Sequence, residues 1–237
     1  MKEKDDPTGS ILQRDNETYA IVPRIPGGLT KLEDLKNIVN VAEKYNIPII
    51  KITAGQRLAL VGMKADVIDD IWKDLNMDPG KATELCLHYV QACPGNSICK
   101  YGKQDALGLG IEIENALAGM SSAAKVKIGV SGCGFCCGES FVRDIGLLAK
   151  NTGWTFIFGG NSGRRPRTGD IIAEDITAEE VIDLAKRCLE YYAANAKKRE
   201  RTARFIERIG IEAFKEAIKS QDTSCTSYLQ NQNQGEV

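Results

Sequence analysis

Apolar residues recur in two rhythms along the chain, and the changes of rhythm mark its elements. Thr18–Arg24 is a short β-prone run closed by Pro26, Gly27 and Gly28, and it reads as a first strand. From Thr30 to Tyr45, Leu32, Leu35, Ile38, Val39 and Ala42 return at the spacing of one helix face, and Asn46 and Pro48 stop the helix. Two strands follow, Pro48–Thr53 and Arg57–Gly62, hinged at Ala54 and Gly55. Val67, Ile68, Ile71 and Trp72 then mark a second amphipathic helix over Lys64–Leu75. A further strand over Leu87–Ala92 completes the order β-α-β-β-α-β, the split ferredoxin-like unit. Such a unit is a scaffold and by itself carries no function.

The second half is punctuated by glycine. A helix over Gln104–Ala118 leads to a strand at Lys125–Ser131, then to a glycine and cysteine loop through Gly138. Ile145–Ala149 and Trp154–Phe158 flank the turn residues Asn151, Thr152 and Gly153 and predict a hairpin. A glycine- and arginine-rich loop spans Gly159–Gly169. Thr177 and Glu180 form a capping box that opens a long helix to about Arg199, and another helix continues to about Lys219. The expected organisation is a flexible arm over 1–16, the half-domain over 17–80, a mixed α/β domain over 81–219 and a disordered, Gln/Asn-rich tail over 220–237 that holds Cys225.

Composition narrows the chemistry. Of 237 residues, 43% are hydrophobic, enough for a substantial core without disulfide staples. Lys plus Arg (31) nearly balances Asp plus Glu (32), so no global field points to nucleic acid or membrane, and an anion site must be built locally. Met1–Ser10 lacks the apolar core of a signal peptide and no run is long enough to span a bilayer, which predicts a cytoplasmic protein. Eight cysteines stand against one histidine, His88, so multi-histidine metal sites are excluded and sulfur chemistry remains. In a reducing compartment those thiols point to metal binding or redox work rather than to bridges.

Cys93 and Cys99 form a C-x5-C pair, and Cys133 and Cys137 a C-x3-C pair with Cys136 nested inside it. Four thiolates converging from two loops suit a 4Fe-4S cluster, and Pro94, Gly95, Gly132, Gly134 and Gly138 leave room for its sulfides. Structural zinc prefers shorter C-x2-4-C knuckles. A thioredoxin-like reading of Cys133 and Cys136 leaves Cys93 and Cys99 idle. Cys86 and Cys188, set in apolar patterns, read as small buried hydrophobes.

These cysteine pairs, with Ser131 and Gly132 before the second, resemble the siroheme and 4Fe-4S module of the nitrite and sulfite reductase family. Lys51–Gly62 is similar to the strand-turn-strand of the family's ferredoxin-like half. Cys99–Gly108, Gly159–Arg167 and Glu200–Glu207 are similar to the siroheme region of NADH-dependent nitrite reductases, and the likeness runs in order from Thr18 to Ile218. The resemblance implies an α+β fold, a ferredoxin-like βαββαβ half-domain followed by a mixed α/β siroheme/4Fe-4S reductase domain. It implies Cys93, Cys99, Cys133 and Cys137 as cluster ligands, with Cys137 the thiolate shared with the siroheme iron and adjacent Cys136 its competitor.

The same resemblance assigns siroheme carboxylates to Arg164, Arg165 and Arg167, with Asn161 as a hydrogen-bond donor; composition alone reads that loop as solvated. Strand alternation puts Lys125 and Lys127 on one face, and the family's K-x-K binds the anionic substrate and helps protonate its leaving oxygens. Sulfite reductases often carry a substrate-contacting arginine where this chain has Gly55, which leaves Arg57 as the nearest guanidinium; relatives commonly have arginine at Phe135. The implied activity is six-electron reduction of sulfite to sulfide or nitrite to ammonia; the alternative is a noncatalytic electron-transfer or redox-sensing protein. No G-x-G-x-x-G follows a strand, so electrons are expected from a separate ferredoxin or flavoprotein. Classical members contain two copies of this unit, so a homodimer is expected to restore the symmetry.

Overall fold

The structure is a computed structural model that describes residues 6–80 and 85–220. It divides into two compact units, Met1–Glu84 with His88–Gln91, and Leu85–Leu87 with Ala92–Val237. In the first, strands β1 (Ser10–Leu12), β2 (Tyr19–Ile21), β3 (Ile49–Ile52) and β4 (Leu58–Met63) form an antiparallel sheet in the order β1-β2-β4-β3. Helices α1 (Leu32–Lys44) and α2 (Ile68–Leu75) supply Ile38, Val41, Ile68, Ile71 and Leu75 to a core closed by Ile21, Leu60 and Met63. Each such fully buried side chain contributes roughly 1.5–3 kcal/mol.

Two sequence expectations change here. Ser10–Leu12 is a strand rather than part of a flexible arm, and it takes the place beside β2 that the ferredoxin-like pattern assigned to Leu87–Ala92. The reason is local. Asp15 accepts both the Glu17 and Thr18 backbone N–H groups and the Thr18 hydroxyl, which closes a tight turn between β1 and β2. A short loop costs less closure entropy than a return from residue 87. Leu87–Ala92 (β5) joins a second sheet, with β6 (Val126–Ser131), β7 (Ile145–Ala149), β8 (Trp154–Phe158) and β9 (Asp170–Ile176), in the order β5-β6-β7-β8-β9.

The hairpin β7–β8 pairs antiparallel from Ile145↔Phe158 to Ala149↔Trp154, with the predicted bounds. β6 and β7 are parallel, so the chain between them must cross over, and Gly132–Asp144 does this without an α-helix. β9 was not anticipated: its alternating, half-exposed residues follow a loop rich in glycine and arginine, which hides the strand signal. Asp105 caps α3 (Ala106–Ala116) through the Gly108 N–H at 2.9 Å, and Thr177 and Glu180 cap α4 (Ala178–Asn195) reciprocally. The region predicted as one last helix is two, α5 (Thr202–Ile209) and a helix over 211–220, parted by Gly210 at φ +86°. Phe158, Tyr192, Phe205 and Phe214 pack ring against ring beneath the sheet, Phe158 stacked on Phe214 at 4.6 Å. Cys86 and Cys188 are buried among apolar residues, and burial pushes the Cys188 thiol up. Cys225 and most of the expected tail lie outside the described residues.

Candidate metal centre and anion site

Both cysteine pairs sit where strands end. Cys93 follows β5 and Cys133 follows β6, and the Cys93 N–H donates to Val130 O at 3.0 Å, so neighbouring strands deliver the two loops side by side. Further bonds hold them there. The Gly132 N–H donates to Cys93 Sγ at 3.0 Å, and the Lys103 N–H donates to Gly132 O at 2.7 Å. A backbone N–H aimed at a sulfur is one of the contacts by which a protein tunes an iron–sulfur cluster. Glycine is obligatory in this contact: a Cβ on Gly132 would lie 2.9 Å from Gly95 Cα, and one on Gly102 would lie 2.3 Å from Asn96 N.

The second loop is strapped from beneath. Ser131 and Ser140 are fully buried, their hydroxyls 2.8 Å apart; Ser131 accepts the Gly138 N–H, and Ser140 donates to the Leu147 carbonyl. A β-turn bond from the Cys136 N–H to Cys133 O puts Cys136 in the left-handed region, φ +56°. Cys93, Cys99, Cys133 and Cys136 are half-buried and Cys137 is exposed, all as free thiols. A Cβ on Gly134 would meet nothing within 4 Å, so space remains above the loop. Among the described residues no three His, Cys, Asp or Glu side chains converge on a single metal ion. A cubane does not need that convergence, because each iron takes one thiolate and the ligands surround the cluster. The donor set and its cradle therefore fit a 4Fe-4S cluster.

The other expected residues fall in different places. Lys125 and Lys127 stand at the start of β6 and the thiol loop at its end; from Lys127 to Ser131 the strand advances about 13 Å. Arg57 is buried in the first unit, donating to His88 O at 3.0 Å, with its guanidinium 5.8 Å from the Tyr89 ring. Tyr89 also fills the space at Gly55, where a Cβ would lie 2.9 Å from the ring. Phe135 is 70% exposed and packs edge-on to Tyr101 at 5.1 Å.

In the Gly159–Gly169 loop, Arg164 and Arg165 are exposed, and Arg165 lies 3.6 Å from Glu207. Arg167 is turned inward, bonded to Gly159 O and Asp170, and the Asn161 amide donates to Arg165 O at 2.7 Å. These two side chains shape the loop that presents Arg164 and Arg165. Sequence reasoning missed a charged cluster beside them. Asp144, buried at 1% side-chain exposure, accepts from Arg201, Thr202 and the Lys127 N–H, and Arg143 pairs with Glu139 at 2.6 Å. Arg143 and Asp144 stand in a turn with no periodic signal, and Arg201 is 57 residues beyond Asp144, so only the fold could unite them.

Models of two domains match this chain, the nitrite/sulfite reductase ferredoxin-like half domain over residues 11–78 and the nitrite and sulphite reductase 4Fe-4S domain over residues 85–225. The chain belongs to the nitrite and sulfite reductase family. That family is one of oxidoreductases, and its cofactors are a 4Fe-4S cluster and siroheme. An assimilatory-type sulfite reductase of Nitratidesulfovibrio vulgaris is 52% identical over 214 residues, 90% of this chain and 98% of that protein. A nitrite reductase [NAD(P)H] of Bacillus subtilis is 40% identical over 84% of this chain, which spans only 25% of the longer relative. The fold is that of the Mycobacterium tuberculosis NirA protein, with a TM-score of 0.76 at 17% identity over 93% of this chain and 44% of that one. No helix among the described residues is long and apolar enough to cross a membrane.

Proposed function

We propose that this member of the family is a siroheme- and 4Fe-4S-dependent reductase that takes sulfite to sulfide by six electrons from a separate donor protein. The observation that carries this reading is the pair of thiol loops locked together by the Gly132 N–H to Cys93 Sγ bond. The 52% identity to an assimilatory-type sulfite reductase, across almost its whole length, favours sulfite over nitrite. When bound, the cluster would store electrons and siroheme would supply the iron at which the anion is reduced. Cys93, Cys99, Cys133 and Cys137 would hold the cluster, and Cys137, the exposed thiol, would be shared with siroheme. Arg164 and Arg165 would meet siroheme carboxylates while Asn161 and Arg167 hold their loop in shape. Lys125 and Lys127 would attract the anion and donate protons to departing oxygens, and Arg57 would position the first unit's strand beside Tyr89.

A ferredoxin or flavoprotein would approach the exposed side chains Ile98, Tyr101 and Phe135 beside the thiol loops. Free thiols in a metal-binding arrangement suit the cytoplasm. The lysines and the thiol loop lie at opposite ends of β6, which supports a homodimer in which Lys125 and Lys127 serve the partner's siroheme. Light scattering on a size-exclusion column should then return twice the chain mass of 25.9 kDa, and a monomer would remove the dimer.

Anaerobically purified protein should show siroheme bands, about five irons per chain, and sulfide production from sulfite with an artificial donor. Zinc alone would overturn the assignment. A noncatalytic electron-transfer or redox-sensing role is favoured by the Tyr89 ring filling the place of an arginine at Gly55 and by the neutral Phe135. Iron without tetrapyrrole and without turnover would select it.

Lys127 gives the rate a pH signature. Burial first, then Arg201 and Arg143, hold its pKa below the ordinary 10.5; Asp144 acts in the opposite sense and Lys125 adds a smaller downward push. A lowered lysine pKa means that the proton is lost earlier as pH rises. Activity should therefore decline on the alkaline side below the ordinary lysine range, and Lys127→Met should lower kcat/KM and flatten that decline. A Lys127→Met profile that keeps the same alkaline limb would clear Lys127 of the role.

A further inference from the structure

The first unit carries an apolar face along the outer edge of its sheet. β3 is the last strand in the order β1-β2-β4-β3, and among the described residues no strand pairs with its outer side. The Thr53 N–H donates to Arg57 O at 2.8 Å, so in the antiparallel ladder residues 49, 51 and 53 turn their backbone groups to β4. Pro48, Ile50 and Ile52 turn theirs outward. Ile50 faces Leu60 and Ile52 faces Leu58 across the pair; Leu60 is in the core beneath the helices and Leu58 packs against it. Ile50 and Ile52 therefore point into the helix layer, yet Ile52 is 70% exposed. The flank of α1 on that side is bare too. Trp72 of α2 donates to Thr8 O next to β1, and Asn37 of α1 donates to Leu75 O at the end of α2, which sets α2 over the β1 side of the sheet. Leu32, Leu35 and Val39, at helical spacing on the other flank of α1, lie toward β3 and are exposed.

We propose that this face joins two copies of the chain, β3 running antiparallel to the partner's β3 about a two-fold axis at Ile50. Residues opposite each other in an antiparallel pair point to the same side of the sheet, so the axis must pass through a residue and not between two. An axis at Lys51 would set two ammonium groups opposite each other, which is destabilising. An axis at Ile50 lets Ile50 exchange both backbone bonds with the partner's Ile50, and lets the Ile52 N–H donate to the partner's Pro48 O. Proline has no N–H to return that bond, and the carbonyl left over, Ile52 O, is already served by Lys51 Nζ at 2.7 Å. An unpaired edge of this kind is a template for another strand. Area supports a dimer as well. At about 30 Å2 for each buried carbon, and with about half of each side chain exposed, Leu32, Leu35, Val39, Ile49, Ile50 and Ile52 offer on the order of 400 Å2 of apolar surface. A standard interface buries roughly 800 Å2 on each partner, about 65% of it apolar in homodimers, so this face supplies most of what a stable dimer needs. The inference rests on the homodimer proposed above, for which it names the surface, and not on the reductase chemistry.

The test is light scattering on a size-exclusion column, applied without oxygen to the full-length holoprotein over a range of concentrations. Wild type should elute at twice the chain mass of 25.9 kDa. Ile50→Lys and Ile50→Glu each place like charges on the axis and should elute as monomers, with the dimer Kd raised about a hundredfold or more because the change is made on both sides of the axis. An equal mixture of the two variants should return to dimer, since lysine then faces glutamate. That rescue also shows that both variants are folded. Hydrogen exchange supplies a second measurement: the outward amides of Ile50 and Ile52 should exchange slowly in wild type and quickly in either variant alone. Single variants that remain dimeric, a mixture that stays monomeric, or outward amides that exchange as fast in wild type as in the variants would each overturn the β3 interface and leave the homodimer standing. A monomeric wild type would remove both. Sulfite reduction is assayed in parallel, and its absence from a wild-type dimer joined at β3 would end the reductase reading and leave the interface in place.

Discussion

Cys93→Ser is expected to yield protein without iron–sulfur absorption and without sulfite reduction, the largest effect of any single substitution in the second unit. Serine keeps the size of the side chain and replaces a soft thiolate by a hard hydroxyl that stays protonated at neutral pH, so one iron of the cubane loses its ligand. Cys93 also receives the Gly132 N–H at 3.0 Å, the bond that brings the two loops together. Cys136→Ser should retain cluster and iron, whereas Cys137→Ser should lose them. Iron analysis and the visible spectrum of the three variants, purified without oxygen, decide the matter. Retention of a full cluster in Cys93→Ser, or its loss in Cys136→Ser with Cys137→Ser intact, would redraw the ligand set.

The second large effect is on stability. Asp144→Ala should destabilise the second unit by about 3–5 kcal/mol, the cost of breaking a buried ion pair and leaving its donors unsatisfied. For a chain of this size that is roughly 6–20 °C in Tm, since each kcal/mol shifts the midpoint by about 2–4 °C. The estimate rests on the 1% exposure of the Asp144 side chain and its bonds to Arg201, Thr202 and the Lys127 backbone. Arg201 is 33% exposed, which favours the lower part of the range. Asp144→Asn, which keeps the shape and loses the charge, should fall between wild type and alanine. Thermal unfolding by circular dichroism measures both. A shift of less than about 2 °C for Asp144→Ala would show that the carboxylate is not the clasp described.

Elements with complete local instructions were legible. Two short apolar runs and the Asn151–Gly153 turn between them place the β7–β8 hairpin at its observed bounds, and Thr177 and Glu180 locate the start of α4. Both signals act within a few residues, so no distant partner is needed to interpret them. Ser10–Leu12 and Asp170–Ile176 were not legible as strands. The first is only three residues long and the second carries exposed positions at its sheet edge, so each is a strand because a neighbour pairs with it. Leu87–Ala92 was recognised as a strand but placed in the wrong sheet, since an apolar run states that it will be buried without naming its partners.

The thiols divide the same way. Spacing alone sets Cys93, Cys99, Cys133, Cys136 and Cys137, close together in two loops, apart from Cys86 and Cys188, which follow the apolar periodicity around them, whereas preferring Cys137 to Cys136 rests on the family resemblance. Charge needed the fold. Lys127 and the Gly159–Arg167 loop were visible one by one, yet Arg143, Asp144 and Arg201 had no local mark, and Arg167, grouped by sequence with Arg164 and Arg165, turns inward to Asp170. The pairing of thiols and helix or strand periodicity are encoded over short stretches and survive in one dimension. An electrostatic site is a sum over groups far apart in the chain, and its sign and strength exist only once packing fixes their distances and removes the water between them.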